Sequence, residues 1–513
     1  MERRQLLKLI SNDALILLSI SAAKFVFHIV FAGNYGYFRD ELYYIACSKN
    51  LDWGYVDQPP FAPFLLAISR TLFGESLIAI RLFAALAVSL VVFISGLCAK
   101  EMGGGRFAQI LAALIVFLSP VLAAMGTFYS MNPLDHLFWI SLIYIFIRVI
   151  KTGNNKLWVL FGALAGLGLQ NKISVLFLLF GLAIGIILTG NFITNLKNKY
   201  IWYGKVLAGM FFLPHIIWQI VYGFPTLEFI HNAGVYKNAP ISPLGFLLGH
   251  IMESGPFYFP IMLAGLWFFL FSRQGKSYKV FGWMYLALLT LFIITKSKTY
   301  YFAPAYPIMF AGGSVLIGNA IKEGKYFLKY ALTVFIIFAG LVSIPMAVPV
   351  LPVETFIAYA KALGVEPQAA ERSEMGKLPQ IYADMFGWED LARRTANVYN
   401  TLAPDEKSKC GIYAQNYGEA GAVDFFGKKY GLPPALSGHN NYWLWGLHGC
   451  KGEVMIIIGG DREDHLKVYE QVIELERTNN KYAMPYENDM PIYLCKGLKV
   501  PLNEVWKDVR IYI

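Results

Sequence analysis

Two adjacent carboxylates, Asp40 and Glu41, stand in the stretch N-Y-G-Y-F-R-D-E-L-Y-Y-I-A-C-S-K-N-L-D-W-G-Y-V-D-Q-P-P (34–60), where a third acid, Asp57, is held by a rigid Asp-Gln-Pro-Pro turn. A carboxylate next to apolar residues resists ionisation, and a like charge nearby raises one of a pair further. Such a pair can supply a general base and a second group that orients an acceptor or binds a cation. The competing reading is structural: an acid pair opening a short helix over Leu42–Ser48 would favour its dipole. A second stretch, Y-S-M-N-P-L-D-H (129–136), brings Asn132 and Asp135 together. In I-T-K-S-K-T-Y-Y (294–301), Lys296 and Lys298 stand beside the hydroxyls of Tyr300 and Tyr301, a combination suited to phosphate.

The elements that must position these groups are apolar. Of 513 residues, 56% are hydrophobic and only 15% charged, against about 25% in soluble proteins, which excludes disorder, a coiled coil and a wholly soluble enzyme. Residues 1–349 hold 26 Lys/Arg and 12 Asp/Glu, whereas residues 350–513 hold 18 and 22. The net +10 therefore resides in the apolar part and marks membrane loops rather than nucleic-acid binding. A span needs about 20 apolar residues, and such runs fall near 12–32, 77–98, 107–124, 134–150, 157–170, 173–190, 201–221, 255–272, 279–295, 302–320 and 327–349. The first follows Arg3, Arg4 and Lys8 without a cleavage site and reads as an uncleaved anchor. Eleven spans from a cytoplasmic N-terminus give inner loops that are all basic, the last of them with Lys322 and Lys325. Eight of the twelve acids then lie outside, and so does the tail. This topology places the chain in the plasma (inner) membrane, with a transmembrane domain over 1–349 and an extracytoplasmic α/β domain over 350–513.

Cations on the outer face or within spans break the charge rule and need their own explanation. They are Lys296, Lys298, Lys172 at a helix junction, Arg81 just inside the second span, and Lys24 with His28 on one helix face. Ionisable residues at membrane depth face protein or a wet cavity. For Lys24, His28 and Arg81, snorkelling or a buried pair competes evenly with a ligand role, while Lys296 and Lys298 favour an anion site.

In the tail, 388–403, 417–430 and 462–476 read as helices, and 410–416, 454–460 and 492–495 as strands. Gly459–Gly460–Asp461 reads as a tight strand-to-helix turn, since no Walker or G-x-G-x-x-G sequence is present. The aromatic stretch S-G-H-N-N-Y-W-L-W-G (437–446) reads as an exposed loop that could meet a sugar or the bilayer. Five cysteines without a C-x-x-C argue against a metal knuckle, and spacing leaves a disulfide among Cys410, Cys450 and Cys495 open.

R-D-E-L-Y-Y followed by W-G-Y-V-D-Q-P-P resembles the dolichyl-phosphate-mannose protein mannosyltransferase-like group (glycosyltransferase family 39 and its bacterial relatives) within the membrane-embedded GT-C class, which also holds the lipid A aminoarabinose transferase. G-L-G-L-Q-N-K (166–172), K-T-Y-Y-F-A-P-A-Y-P (298–307), N-Y-G-E-A-G-A-V-D-F-F-G and the aromatic stretch extend the resemblance along most of the chain. The resemblance implies a GT-C-like α-helical multi-pass fold, a polyprenyl-phosphate-linked sugar donor of hexosyl or mannosyl type, and a catalytic acid that falls on Asp40, with Glu41 beside it. In the aminoarabinose transferase a lysine in the second half of this loop meets the donor phosphate; here Asp57–Gln58–Pro59 lacks it, and Lys296 or Lys298 is the expected replacement.

The expected chemistry is a single displacement that inverts the anomeric centre. Asp40 takes the proton of an acceptor hydroxyl, and Glu41 orients the acceptor or, with Asp57, binds a divalent metal if one is used. Cations hold the leaving phosphate. Arg39, Tyr43, Asp57, Gln58, Arg81, Asn132, Asp135, Lys172, Lys296, Lys298, Tyr300 and Tyr301 complete the expected substrate-binding set. The acceptor is a lipid, a glycan or a protein in the cell envelope, and the other partners are membrane lipids. The alternative class is a transporter or flippase of a lipid-linked or anionic substrate, against which stand the absence of a sequence repeat and the surface clustering of the acids.

Overall fold

The computed structural model describes residues 12–190, 197–321, 324–367 and 371–513. Arg3, Arg4, Lys8 and Lys322 lie outside the described residues. The chain forms two compact units. One comprises Met1–Gly33, Arg81–Ile216 and Pro240–Leu351; the other comprises Asn34–Ile80, Ile217–Ala239 and Pro352–Ile513. The acid-bearing first loop and a second excursion, 217–239, thus group with residues 352–513.

Among the described residues, seven helices are long and apolar enough to cross a membrane, and eight if the bent pair Pro243–Ser254 and Phe259–Phe271 is one span. This differs from eleven full-length spans for local reasons. The run at 107–124 breaks at Ser119–Pro120 into Arg106–Leu118 and Pro120–Ala124, because proline cannot donate the next helical hydrogen bond. The runs at 157–170 and 173–190 become Leu157–Asn171 and Val175–Leu188, of 15 and 14 residues, below the length of about 20 that spans a bilayer unaided. The run expected at 255–272 pairs with Pro243–Ser254 through a bend of 104° at Gly255.

In the first unit the tightest helix crossing lies between Phe259–Phe271 and Tyr306–Ala320. A Cβ on Gly313 would overlap the Ile261 carbonyl oxygen, and one on Gly265 would overlap that of Met309. Small residues of this kind let membrane helices approach backbone to backbone. Two ionisable residues of the spans find backbone partners inside the unit. Lys24 is fully buried and donates to the Phe117 carbonyl at 2.6 Å. Arg81 Nη1 donates to the Ala32 carbonyl at 2.7 Å, closing the end of helix Asn12–Phe31. For Arg81 this contact supports the structural reading over a substrate role.

In the second unit a five-stranded sheet has β1 (Cys410–Ala414), β2 (Ala435–Leu436), β3 (Val454–Ile458), β4 (Tyr469–Arg477) and β5 (Pro491–Leu498) in the order β2-β1-β3-β5-β4. β1 runs parallel to β2 and β3, while β5 is antiparallel to β3 and β4. β4 corrects the helix expected over 462–476. The helix stops at Val468, and Y-E-Q-V-I-E-L-E-R pairs with β5 as an acidic edge strand, so tertiary pairing overrides a period that also fits a helix. All five cysteines are free thiols. The stretch 437–446 is not an exposed loop: His439, Asn440, Asn441 and Tyr442 are buried, and helix Asn441–Trp445 forms within it.

Gly313→Val tests the crossing in the first unit. Overpacking of this kind costs about 1–3 kcal/mol, so the detergent-solubilised variant is expected to unfold at a lower temperature than wild type, whereas Gly209→Val, which meets nothing within 4 Å, is expected to leave the transition in place. Equal transitions for both variants would contradict the packing.

Candidate active site

The acid pair opens helix Arg39–Lys49, and its two members diverge. Glu41 is fully buried, and its Oε2 accepts the Phe38 amide at 2.8 Å. It serves one of the amides that a helix start leaves without a partner. This contact matches the structural reading of the pair. Asp40 keeps 36% of its side chain exposed. Its Oδ1 accepts the Tyr417 hydroxyl at 2.9 Å and lies 3.8 Å from Arg39 Nε.

Arg39 is the hub. Nη1 donates to the Tyr486 hydroxyl at 2.6 Å, Nη2 reaches Glu371 at 3.4 Å and Asp384 at 4.0 Å, and its backbone amide donates to the Asp384 carbonyl at 2.9 Å. Burial would lower the guanidinium pKa, but Asp384, Tyr417, Tyr486 and Glu371 outweigh it and hold the group above its ordinary range. Glu371 also pairs with Lys237 at 3.6 Å. Arg39 and Lys237 each lie 5.7 Å from the centre of the Tyr417 ring. That ring stacks on Tyr43 at 4.7 Å and lies 4.5 Å from His439. Arg39, Lys237, Glu371, Asn416, Tyr417 and His439 are among the residues around a cavity of about 620 Å³, which Asp40 approaches through its contacts with Arg39 and Tyr417.

The sequence N-Y-G-E-A-G explains how Tyr417 comes to this place. Asn416 caps helix Tyr417–Phe426 by accepting the amides of Gly418 and Glu419 at 2.8 and 3.1 Å. A Cβ on Gly418 would strike the Arg39 side chain and one on Gly421 would crowd Leu42, so only glycine lets this helix lie directly on Arg39–Lys49.

The turn at 57–60 is fixed from the same side. Tyr43 donates to Asp57 Oδ1 at 3.0 Å, and Asn441 Oδ1 accepts the Val56 amide at 2.7 Å. Burial raises Asp57 to about 6, against the Tyr43 hydrogen bond that lowers it. Gln58 is buried and its carbonyl accepts the Tyr55 amide at 2.9 Å; it does not line the cavity. Glu41 and Asp57, the two carboxylates expected to meet a divalent ion, each have an oxygen committed to a protein donor. Among the described residues no group of three or more His, Cys, Asp and Glu side chains is arranged for a metal.

The first unit holds its own polar group. Lys172 Nζ donates to Asn132 Oδ1 at 2.7 Å, lies 3.9 Å from Asp135 Oδ2, and sits 5.1 Å from the centre of the Tyr301 ring. Ser174 donates to the other Asp135 oxygen at 2.6 Å. Four expected residues, Asn132, Asp135, Lys172 and Tyr301, are thus brought together, with the Tyr300 and Tyr301 rings 4.7 Å apart. Lys296 occupies a turn with φ of 50°, and Lys298 precedes the helical turn Thr299–Ala305. Thr299 donates to Glu253, and His250 bridges the hydroxyls of Tyr306 and Tyr285 at 2.7 and 2.5 Å. The K-S-K-T-Y-Y segment is thus tied to the bent helix pair through Thr299.

The sequence reading missed Lys237, Glu371, Tyr417, His439 and Tyr486 as site residues. The criterion that singled out Lys296, a cation on an acid-rich connection, would also have found Lys237; Tyr417 and His439 lie in two stretches that carry the family resemblance, and Glu371 and Tyr486 carry no local signal.

Comparison with known proteins follows this geometry. A profile of the family described as dolichyl-phosphate-mannose-protein mannosyltransferase matches residues 57–218. Lipid A galacturonosyltransferase RgtD of Rhizobium johnstonii is 23% identical over 270 residues, covering 52% of this chain and 56% of that protein. An undecaprenyl phosphate-alpha-4-amino-4-deoxy-L-arabinose arabinosyl transferase of Pseudomonas aeruginosa is 23% identical over 165 residues, covering 29% of this chain and 30% of that one. The chain thus spans about half or less of the length of these curated relatives. In structure it matches ArnT from Cupriavidus metallidurans, solved bound to undecaprenyl phosphate, with a TM-score of 0.63 at 12% identity over 94% of this chain and 97% of that one. The fold is thereby that of ArnT, mainly helical with a small C-terminal α/β sheet domain. In sequence the chain resembles the dolichyl-phosphate-mannose protein mannosyltransferases and the lipid A sugar transferases.

The buried acids of the second unit make a pH prediction. Burial raises Glu419 to about 7 and Asp384 to about 6. A carboxyl with a raised folded pKa contributes stability that is full below its unfolded value near 4 and is lost as pH climbs through the folded value. Glu419→Gln removes one such group, so the variant is expected to gain thermal stability relative to wild type between pH 5 and pH 8. A stability difference that stays constant over that range would contradict the assignment.

Proposed function

We propose that this protein transfers a sugar from a polyprenyl-phosphate donor to an acceptor hydroxyl, on the extracytoplasmic face, by a single inverting displacement. The observation that carries the reading is Asp40, a part-exposed carboxylate fixed by the Tyr417 hydroxyl and Arg39 beside a polar, aromatic cavity. An acceptor hydroxyl loses its proton as it attacks, and a carboxylate held in place without being fully neutralised can receive it. Tyr417 orients Asp40, and Arg39 and Lys237 set the local positive field. Glu41 is a helix cap in this mechanism rather than an acceptor-binding group.

The leaving phosphate calls for positive charge, and the cations proposed for it are Lys296 and Lys298, with Lys172 held against Tyr301 as support. The likeness to ArnT, solved with undecaprenyl phosphate, supports a polyprenyl phosphate as the leaving group, and the two relatives named as a lipid A galacturonosyltransferase and an aminoarabinosyl transferase support a lipid acceptor. The sugars to be tried are mannose, galacturonic acid and 4-amino-4-deoxyarabinose, one from the family description and two from the relatives.

Purified protein in detergent with radiolabelled polyprenyl-phosphate sugars and a lipid acceptor extract is the test. Release of sugar from the donor is expected for wild type, and Asp40→Asn is expected to lower it about 10²- to 10⁴-fold, the usual contribution of a general base. Near-normal transfer by a folded Asp40→Asn protein would overturn the base assignment. Lys298→Ala is expected to weaken donor binding, and unchanged affinity would remove that lysine from the phosphate site. Proteoliposome flux without cleavage of the donor would favour the transporter reading instead.

A further inference from the structure

The first unit also contains an apolar cavity of about 260 Å³ bounded by helices Leu157–Asn171, Val175–Leu188 and the start of Lys199–Val221. Its existence follows from small side chains. The backbones at Gly162 and Gly204 touch, since a Cβ on either would overlap the other helix, while Ala165, Ala183 and Ala208 leave the space beside that contact unfilled. Phe146, Phe161, Leu182 and Ile186 complete the apolar wall. The space is an open groove rather than an enclosed void, since Ala183 and Lys205 on its wall are exposed, and its apolar wall makes water a poor occupant.

One group on the wall is charged. Lys205 lines the cavity from an exposed position, with Nζ 4.2 Å from the Trp202 ring centre. Lys156 precedes the first of the three helices, and Lys197 and Lys199 precede or open the third, so Lys205 belongs to a basic end of this unit. Basic clusters at membrane-helix ends attract anionic lipid.

We propose that this cavity binds an anionic glycerophospholipid. One acyl chain lies between Phe161, Ala165, Ala183 and Ile186, and the phosphate meets Lys205. None of the lining residues is among those assigned to sugar transfer, and the proposal stands whether or not that reading holds.

The test uses the full chain in phosphatidylcholine nanodiscs carrying a few per cent of either phosphatidylglycerol or phosphatidylcholine with a mid-chain diazirine. Photolabelling is read by peptide mapping. Phosphatidylglycerol is expected to label residues 158–165 and 182–186 about fivefold more than phosphatidylcholine, the ratio one lysine near anionic lipid supplies. Lys205→Gln is expected to bring that ratio near one, and Ala183→Phe, which fills the cavity, to remove labelling of these peptides by both lipids. Where Ala183→Phe does not fold, Ala165→Phe fills the same space from the facing wall. Equal labelling by the two lipids in wild type, or labelling that persists in a folded cavity-filling variant, would overturn the proposal.

Discussion

The second unit depends on one buried guanidinium. Arg39 is a cation largely removed from water, and such a group is tolerated only where partners compensate the lost solvation. Those partners come from distant stretches of chain: Glu371, Asp384, Tyr417 and Tyr486. Satisfying Arg39 therefore draws the first loop, the segment after the last apolar helix, the capped helix at 417 and the turn at 486 into one arrangement. Asp40 follows in sequence, and the same arrangement gives it the Tyr417 hydroxyl. The positioning of the proposed base is a by-product of solving the electrostatics of its neighbour. This also explains why the first loop groups with the tail: the tail holds the counter-charges.

What the sequence reveals depends on the range of the interaction. Lys172 could be picked out as a cation that breaks the charge rule, Tyr301 as a hydroxyl beside two lysines, and Asn132 and Asp135 as polar residues of one stretch, and the structure gathers them. The Arg39 network could not be assembled in that way. Its contacts to Glu371 and Tyr486 join residues 332 and 447 positions apart, and these two partners lie in no motif. Glu41 shows the converse. An acid opening a helix was one of two readings open in the sequence, and the Oε2 contact with the Phe38 amide supports that one. The stretch at 437–446 misled because its composition is amphipathic: Asn and His look solvent-seeking until Asn441 is seen accepting from the Val56 amide and His439 meeting the Ile513 carbonyl at 2.7 Å.

The apolar unit was legible in outline and less so in detail for a related reason. Hydropathy reports which segments avoid water but not where a helix stops. Pro120, the bend at Gly255 and the short helices around Lys172 are set by backbone hydrogen bonding and by packing against neighbours. The same small residues that allow Gly313 and Gly265 to meet backbone to backbone leave a cavity where Ala165 and Ala183 face each other, so close approach and incomplete filling arise from one compositional choice.

The account assigns one working carboxylate to a single displacement. Its most direct test is the anomeric configuration of the transferred sugar, read by the one-bond carbon–proton coupling at the anomeric centre with a donor of known configuration. Inversion in the product is the result this mechanism requires. Retention would contradict it, since two displacements and a nucleophile other than Asp40 would then be needed.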